Sequence, residues 1–221
     1  MTDFDFKTNV IWESLPILMD GLKLTVIITA SGLLIGFFLG AIFGLLKLLK
    51  FKPLRYIANV YIETIRGTPI MVQVMFIYFG LPMALRTRID PLTSAISAIA
   101  INSGAYIAEI VRGSVQSIDK GQTEAGRSIG LTRMQNMLYV VWPQAFRRMI
   151  PPLGNQFIIS LKDTSLFVVI GVGELTRTGQ EIIATNFRAF EVWTTVAILY
   201  LCITFVISKA LNLLEYKLGL R

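Results

Sequence analysis

Histidine is absent from this chain of 221 residues, and cysteine occurs once, as Cys202. Without imidazole there is no histidine proton relay and no histidine metal site. A lone cysteine can form neither an internal disulfide nor a thiolate metal cluster. Charge is scarce as well: 16% of residues are Asp, Glu, Lys or Arg, against about 25% in an ordinary soluble domain. No G-x-x-x-x-G-K-S/T segment occurs, so nothing is equipped to cradle nucleotide phosphates. No set of nucleophile, base and orienting group stands out, and the common acid–base chemistries narrow without histidine. The start carries Asp3, Asp5, Glu13 and Asp20 before the first apolar run, whereas a signal peptide would begin with basic residues.

What fills the chain instead is long apolar runs; hydrophobic residues make up 54% of it. Residues 22–46 read LKLTVIITASGLLIGFFLGAIFGLL, with Lys23 as the sole charge. About 20 mostly apolar residues are needed to cross a bilayer as a helix, and helices buried in soluble cores are usually shorter. Four further spans follow, at 53–85, 92–111, 148–173 and 193–214. The reading is an all-α integral membrane protein, a single transmembrane domain over residues 1–221 with five transmembrane helices. Gly32, Gly36, Gly40 and Gly44 recur every four residues in the first span and make one smooth face for close helix packing.

Lys and Arg set the orientation. Thirteen basic residues fall on one side: Lys47, Lys50, Lys52 and Arg55 after span one; Arg112, Lys120, Arg127, Arg133, Arg147 and Arg148 after span three; and Lys209, Lys217 and Arg221 at the end. Six fall on the other: Lys7, Lys23, Arg86, Arg88, Arg177 and Arg188. The richer side is expected to be cytoplasmic, with the N-terminus outside and the C-terminus inside. This spread over loops accounts for the net charge of +7 without nucleic acid.

Two sets of polar residues interrupt the spans. Glu63 and Arg66 are three apart on one helix face and precede Gly67, Thr68 and Pro69. Pro69 removes a backbone donor and disfavours helical geometry at Thr68, so a break is expected there. The plainer role for Glu63 and Arg66 is to pair between spans; contact with a substrate is the alternative. The second set is Lys162, Asp163, Thr164 and Ser165, in the middle of the apolar run IISLKDTSLFVVIG, with Asn155 and Gln156 upstream. Adjacent helical residues point about 100° apart, so Lys162 and Asp163 cannot both face one partner. Asn155 shares a face with Lys162 and approximately with Asp163. A free amino acid is zwitterionic: its ammonium suits a carboxylate, and its carboxylate suits hydroxyls and amides. Asp163 and its neighbours are therefore expected to line a polar site for such a molecule. Gln73 and Asn102 are expected to hydrogen-bond between helices, and Tyr106 and Glu109 are not assigned to substrate.

Residues 112–147 are too charged to span. Within them, Leu131, Met134, Leu138 and Val141 recur at helical spacing, Thr132 is a candidate N-cap, and two short helices are expected to meet near Gly130. Pro143 is expected to end or bend what precedes it. The stretch EAGRSIGLTRMQNMLYVVWP, Glu124 to Pro143, resembles the cytoplasmic EAA loop of ABC importer permeases, with Glu124, Ala125, Gly126, Gly130 and Pro143 at the family's spacing. It departs in having Gly126 where Ala is usual and Trp142 where Leu is usual. IETIRGTPIMVQVMFIYFGLP, INSGAYIAEIVRGSVQSIDKGQTEAG and PQAFRRMIPPLGNQFIISLKDTSLFVVIGVGEL are similar to the polar-amino-acid permeases of that family, and the likeness runs from about Asp20 to the C-terminus.

The resemblance implies a transport subunit of a bacterial cytoplasmic (inner) membrane importer, not an enzyme. A second permease subunit, expected as a homodimer, would complete the pathway. A cytoplasmic ABC ATPase dimer, which holds the ATP and Mg, would dock on the short EAA coupling helices through Glu124, Ala125, Gly126 and Gly130. An extracytoplasmic binding protein would deliver a polar amino acid. L-glutamine is the expected cargo, with arginine, histidine and glutamate as alternatives. A secondary transporter without ATP would leave the EAA-like segment unexplained.

Overall fold

The computed structural model describes residues 5–220, and the described residues are helical apart from short connections. α1 (Thr8–Leu48) is 41 residues long, about 60 Å, twice the thickness of a bilayer's hydrocarbon core. The apolar run at 22–46 is thus only its second part. The first part was not legible as helix because Glu13, Pro16 and Asp20 interrupt the pattern. Packing overrides them: Leu18 and Leu22 bury against Leu175, Val192 and Val196.

The glycine ladder of α1 lies against α5 (Pro91–Gln116), as its spacing predicts. A Cβ on Gly32 would sit 2.5 Å from Ile99, one on Gly40 2.5 Å from Ile107, and one on Gly44 2.8 Å from Val111. Ile99, Ser103, Ile107 and Val111 also recur every four residues, so two ladders of equal period interlock. α5 starts at Asp90, whose side chain accepts from the Thr93 N–H at 2.9 Å, and is the most buried of the long apolar helices.

Residues 53–85, read from sequence as one span, form two arms: α2 (Lys52–Arg66) and a second arm, Ile70–Leu85, bent 102° from it. The second arm comprises α3 (Ile70–Met75), a π turn (Phe76–Gly80) and α4 (Leu81–Leu85). Among the described residues there are therefore four helices long and apolar enough to cross a membrane, or five with the bent pair counted as one.

α6 (Lys120–Ser128) and α7 (Arg133–Asn136) meet at Gly130, whose φ of 89° is left-handed. Thr132 caps α7, and Gln135 reaches back to its N–H in a capping box. Of the two expectations for Pro143, ending or bending what precedes it, the first does not hold: the helix runs on. A π turn (Met137–Val141) runs straight into α8 (Trp142–Asp163), placing Pro143 in that helix's first turn, where a missing N–H is tolerated. Pro82 follows the other π turn at the same offset. The span expected at 148–173 thus begins upstream of Arg148.

A 3-10 stretch, Thr164–Ile170, follows α8 and ends at Gly171, φ 77°. α9 (Leu175–Asn186) lies between the last two spans expected from sequence; it starts at the buried Glu174, which accepts from the Thr176 and Arg177 N–H groups. α10 (Ala189–Lys217) closes the fold, slightly longer than the expected 193–214. The core is built where elements meet: Ile28, Val74, Ile99 and Phe167 in one cluster, and Val111, Val115, Val141 and Met149 in another.

Candidate substrate site and coupling segment

The break between α2 and α3 frees backbone groups, and in a membrane each needs a partner. Gln73 supplies one: its Nε2 donates to the Ile65 carbonyl (2.8 Å), the Thr68 carbonyl (3.0 Å) and the Thr68 hydroxyl (3.1 Å). Its Oε1 accepts from Asn102 Nδ2 of α5 at 3.1 Å. Gln73 and Asn102 thus make the expected bond between helices and fix the broken end of α2 to the buried helix.

Beside this joint lies a cavity of about 450 Å³. Arg66, Gly67, Thr68, Pro69 and Ile70 of the break form one wall, Asn102 and Tyr106 of α5 a second, and Gln156, Ile159 and Asp163 of α8 a third. The α8 residues follow helical spacing of three and four. Asp163 is half-buried, and its side chain makes no ion pair or hydrogen bond among the described residues. Arg66 turns to Glu109, Nη1 to Oε2 3.8 Å, and its guanidinium rests 5.3 Å from the centre of the Tyr106 ring.

Of the residues singled out from sequence, Arg66, Thr68 and Asp163 meet on the cavity wall. Asn155 and Lys162 do not: each precedes a wall residue by one position, a rotation of about 100°, and both are exposed on the outer surface of this chain. Gln156, not Asn155, shares the wall with Asp163. Thr164 is buried and donates to the Leu161 carbonyl, with Tyr200 of the last helix also in reach of its hydroxyl, and Ser165 donates to the Lys162 carbonyl, so both hydroxyls are engaged within the chain. Glu63 is exposed and does not pair with Arg66. Tyr106, left unassigned from sequence, lines the cavity. Its only sequence signal was its spacing from Asn102, four residues along the same face.

Glu109 collects bases from three helices. Lys47 Nζ lies at 2.6 Å, Arg112 Nη2 at 2.7 Å and Nε at 3.0 Å, and Arg66 farther off. From there polar contacts continue into the segment between α5 and α8. Arg112 bonds Gln116, and Arg148 donates to the Ser117 carbonyl and, at 3.0 Å, to its hydroxyl. Gln144 reaches Gln122 at 3.2 Å.

In the α6–α7 hairpin Gly126 is buried and packs on Asn136; a Cβ there would collide with Asn136 Oδ1. That contact explains glycine where the pattern has alanine. Asn136 Nδ2 donates to the Thr123 carbonyl at 3.4 Å. Glu124 and Ala125 are exposed, and Ile129 (79%) and Met134 (75%) stand out from the hairpin. Arg127 and Arg133 of the same hairpin are exposed as well.

The described residues thus form a bundle of long apolar helices with a bent pair, a cavity beside the bend and a separate short-helix hairpin, a frame suited to a transport subunit. Residues 15–219 match the family described as the inner membrane component of binding-protein-dependent transport systems, and the chain belongs to that family. It is 56% identical over 214 residues to the glutamine transport system permease protein GlnP of Escherichia coli (strain K12), covering 96% of this chain and 98% of that protein. It is 41% identical over 204 residues to the L-cystine transport system permease protein TcyB of Bacillus subtilis (strain 168), covering 92% and 87%. It superposes with a TM-score of 0.93 on a chain from the crystal structure of an amino acid ABC transporter with histidines, at 39% identity and covering 97% and 100%. The protein is a multi-pass inner-membrane permease component, a transport subunit and not an enzyme, working within the ABC-importer architecture of permease, ATPase and binding protein.

Proposed function

We propose that this permease carries a polar amino acid, L-glutamine, through the cavity beside the α2–α3 break. The observation that carries the reading is the presence of opposite charges in one cavity lining: Arg66, whose guanidinium meets Glu109 only beyond hydrogen-bond length, and Asp163, whose carboxylate accepts no hydrogen bond among the described residues. A zwitterion's carboxylate meets Arg66, a planar donor suited to bidentate carboxylates, and its ammonium meets Asp163. The amides of Asn102 and Gln156 suit a side-chain carboxamide. A volume of about 450 Å³ is ample for one amino acid with water. The relationship to a glutamine permease at 56% identity supports the choice of cargo.

The membrane arrangement belongs to the same proposal. The bent pair α2–α3 counts as one of five spans in a single transmembrane domain. The N-terminus is outside and the C-terminus cytoplasmic, as the basic residues require. Two copies of the chain enclose the path. The α6–α7 hairpin is the coupling element: Glu124 and the apolar patch of Ile129 and Met134 dock on the ATPase, and Gly130 sets the turn. Hydrolysis of ATP, with its Mg, takes place on that partner.

The test is ATP-dependent uptake into proteoliposomes holding the permease, its ATPase and its binding protein, with labelled glutamine, glutamate, arginine and histidine in parallel. Glutamine uptake that stops without ATP is the expected result. No ATP-dependent uptake of any of them contradicts the reading.

A further inference from the structure

Arg66 is the last residue of α2, beside the irregular Gly67–Pro69 segment, and its side chain is 43% exposed. A long side chain at a helix end has many rotamers, and ordering it costs entropy. Two groups from α5 restrain it. The Tyr106 ring lies beneath the guanidinium at 5.3 Å, a cation–π distance, and Glu109 Oε2 lies 3.8 Å from Nη1. Tyr106 and Glu109 are three residues apart and share a helix face.

The two restraints hold Arg66 without using it up. Glu109 spends its hydrogen bonds on Lys47 and Arg112, at 2.6 and 2.7 Å. Its contact with Arg66 is beyond hydrogen-bond length, and the Arg66 side chain donates no hydrogen bond among the described residues. One carboxylate faces three bases, so the third keeps its charge and its N–H donors for the cavity. A tighter Glu109–Arg66 bond would neutralise the very group an incoming carboxylate needs.

We propose that Tyr106 and Glu109 are positioning residues that hold the Arg66 guanidinium at the cavity rim, open to the carboxylate of the transported amino acid. The proposal rests on the cavity being the substrate site. Tying α1 to α5 is the separate work of Lys47, while Arg112 braces Glu109 within α5. Positioning makes Tyr106 act through Arg66, so its effect vanishes once Arg66 is gone; a merely structural tyrosine has no such dependence.

The experiment measures binding of labelled glutamine to the purified permease–ATPase complex. Glu109→Gln strands three bases and risks misassembly, so the tyrosine variants carry the test. Arg66→Gln is expected to weaken binding at least about tenfold. Tyr106→Leu should weaken it about fivefold, the scale of a lost cation–π contact, while Tyr106→Phe binds as wild type does. Arg66→Gln with Tyr106→Leu should bind no worse than Arg66→Gln alone. If Arg66→Gln weakens binding but Tyr106→Leu does not, or if the two losses add, the positioning role is overturned and the substrate site stands. If Arg66→Gln itself binds normally, the substrate site at Arg66 falls and the positioning role with it.

Discussion

Asp163 and Glu109 are both carboxylates inside long helices, and their surroundings give them opposite forecasts. Asp163 makes no hydrogen bond or contact ion pair among the described residues, and the charge nearest to it in sequence is that of the exposed Lys162, so Asp163→Asn breaks no bond. Its complex should melt at the wild-type temperature in detergent, as thermal unfolding would register. Glu109→Gln leaves Lys47, Arg112 and Arg66 facing one another, and losing the centre of this partly buried ionic cluster costs about 1–3 kcal/mol. That variant should melt well below wild type; an unchanged melt would mean the cluster contributes nothing to the fold. Gln73→Leu removes three donated bonds at the break and should destabilise by roughly 1–3 kcal/mol. Arg66, Thr68 and Asp163 were legible in the sequence because intramembrane charge and a proline break are rare and costly. Tyr106 and Gln156 were not, because the wall is assembled from three elements and depends on how α8 is rotated. The expectation that Glu63 and Arg66 pair between spans holds for Arg66, which meets Glu109 of α5, and not for the exposed Glu63; the sequence did not show which helix would supply the partner.

Among the elements, α1 and α5 show how a repeat becomes an interface. Gly40 meets Ile107 and the Gly104 carbonyl at 2.5 and 2.8 Å from a would-be Cβ, whereas Gly113, also on α5, has nothing within 4 Å. Gly40→Val should therefore lower the yield of folded protein sharply, read by size-exclusion in detergent. Gly113→Ala should be neutral or stabilising by up to about 1 kcal/mol from helix propensity. Gly130 poses a different constraint, a left-handed φ that a β-branched residue resists. Gly130→Val should insert in the membrane normally yet pull down less ATPase; undiminished association would remove the hairpin from the coupling role. The four-residue glycine repeat, the Thr132 cap and the Gly130 turn were readable because each is a local rule. The first part of α1 and the whole of α9 were not: Pro16 and Glu174 look like interruptions until Leu18, Leu175 and Val192 bury against one another.

At the scale of the whole molecule, long apolar helices surround a small polar centre, and the basic residues divide unevenly between the two ends. With Cys202 replaced by serine, a cysteine at position 120 should react with an impermeant label only from the cytoplasmic side; labelling from outside overturns the orientation. Transport has to join the ends, and polar contacts run from Arg66 at the cavity through Glu109 and Arg112 to Gln116, the last residue of α5. Its most direct test is ATP-driven uptake of labelled L-glutamine into proteoliposomes, with wild type and Asp163→Asn measured side by side. The expected result is uptake by wild type that falls at least about tenfold in Asp163→Asn, the scale of losing a charge-assisted bond, while basal ATP hydrolysis persists. Full uptake by Asp163→Asn contradicts a substrate path past this carboxylate.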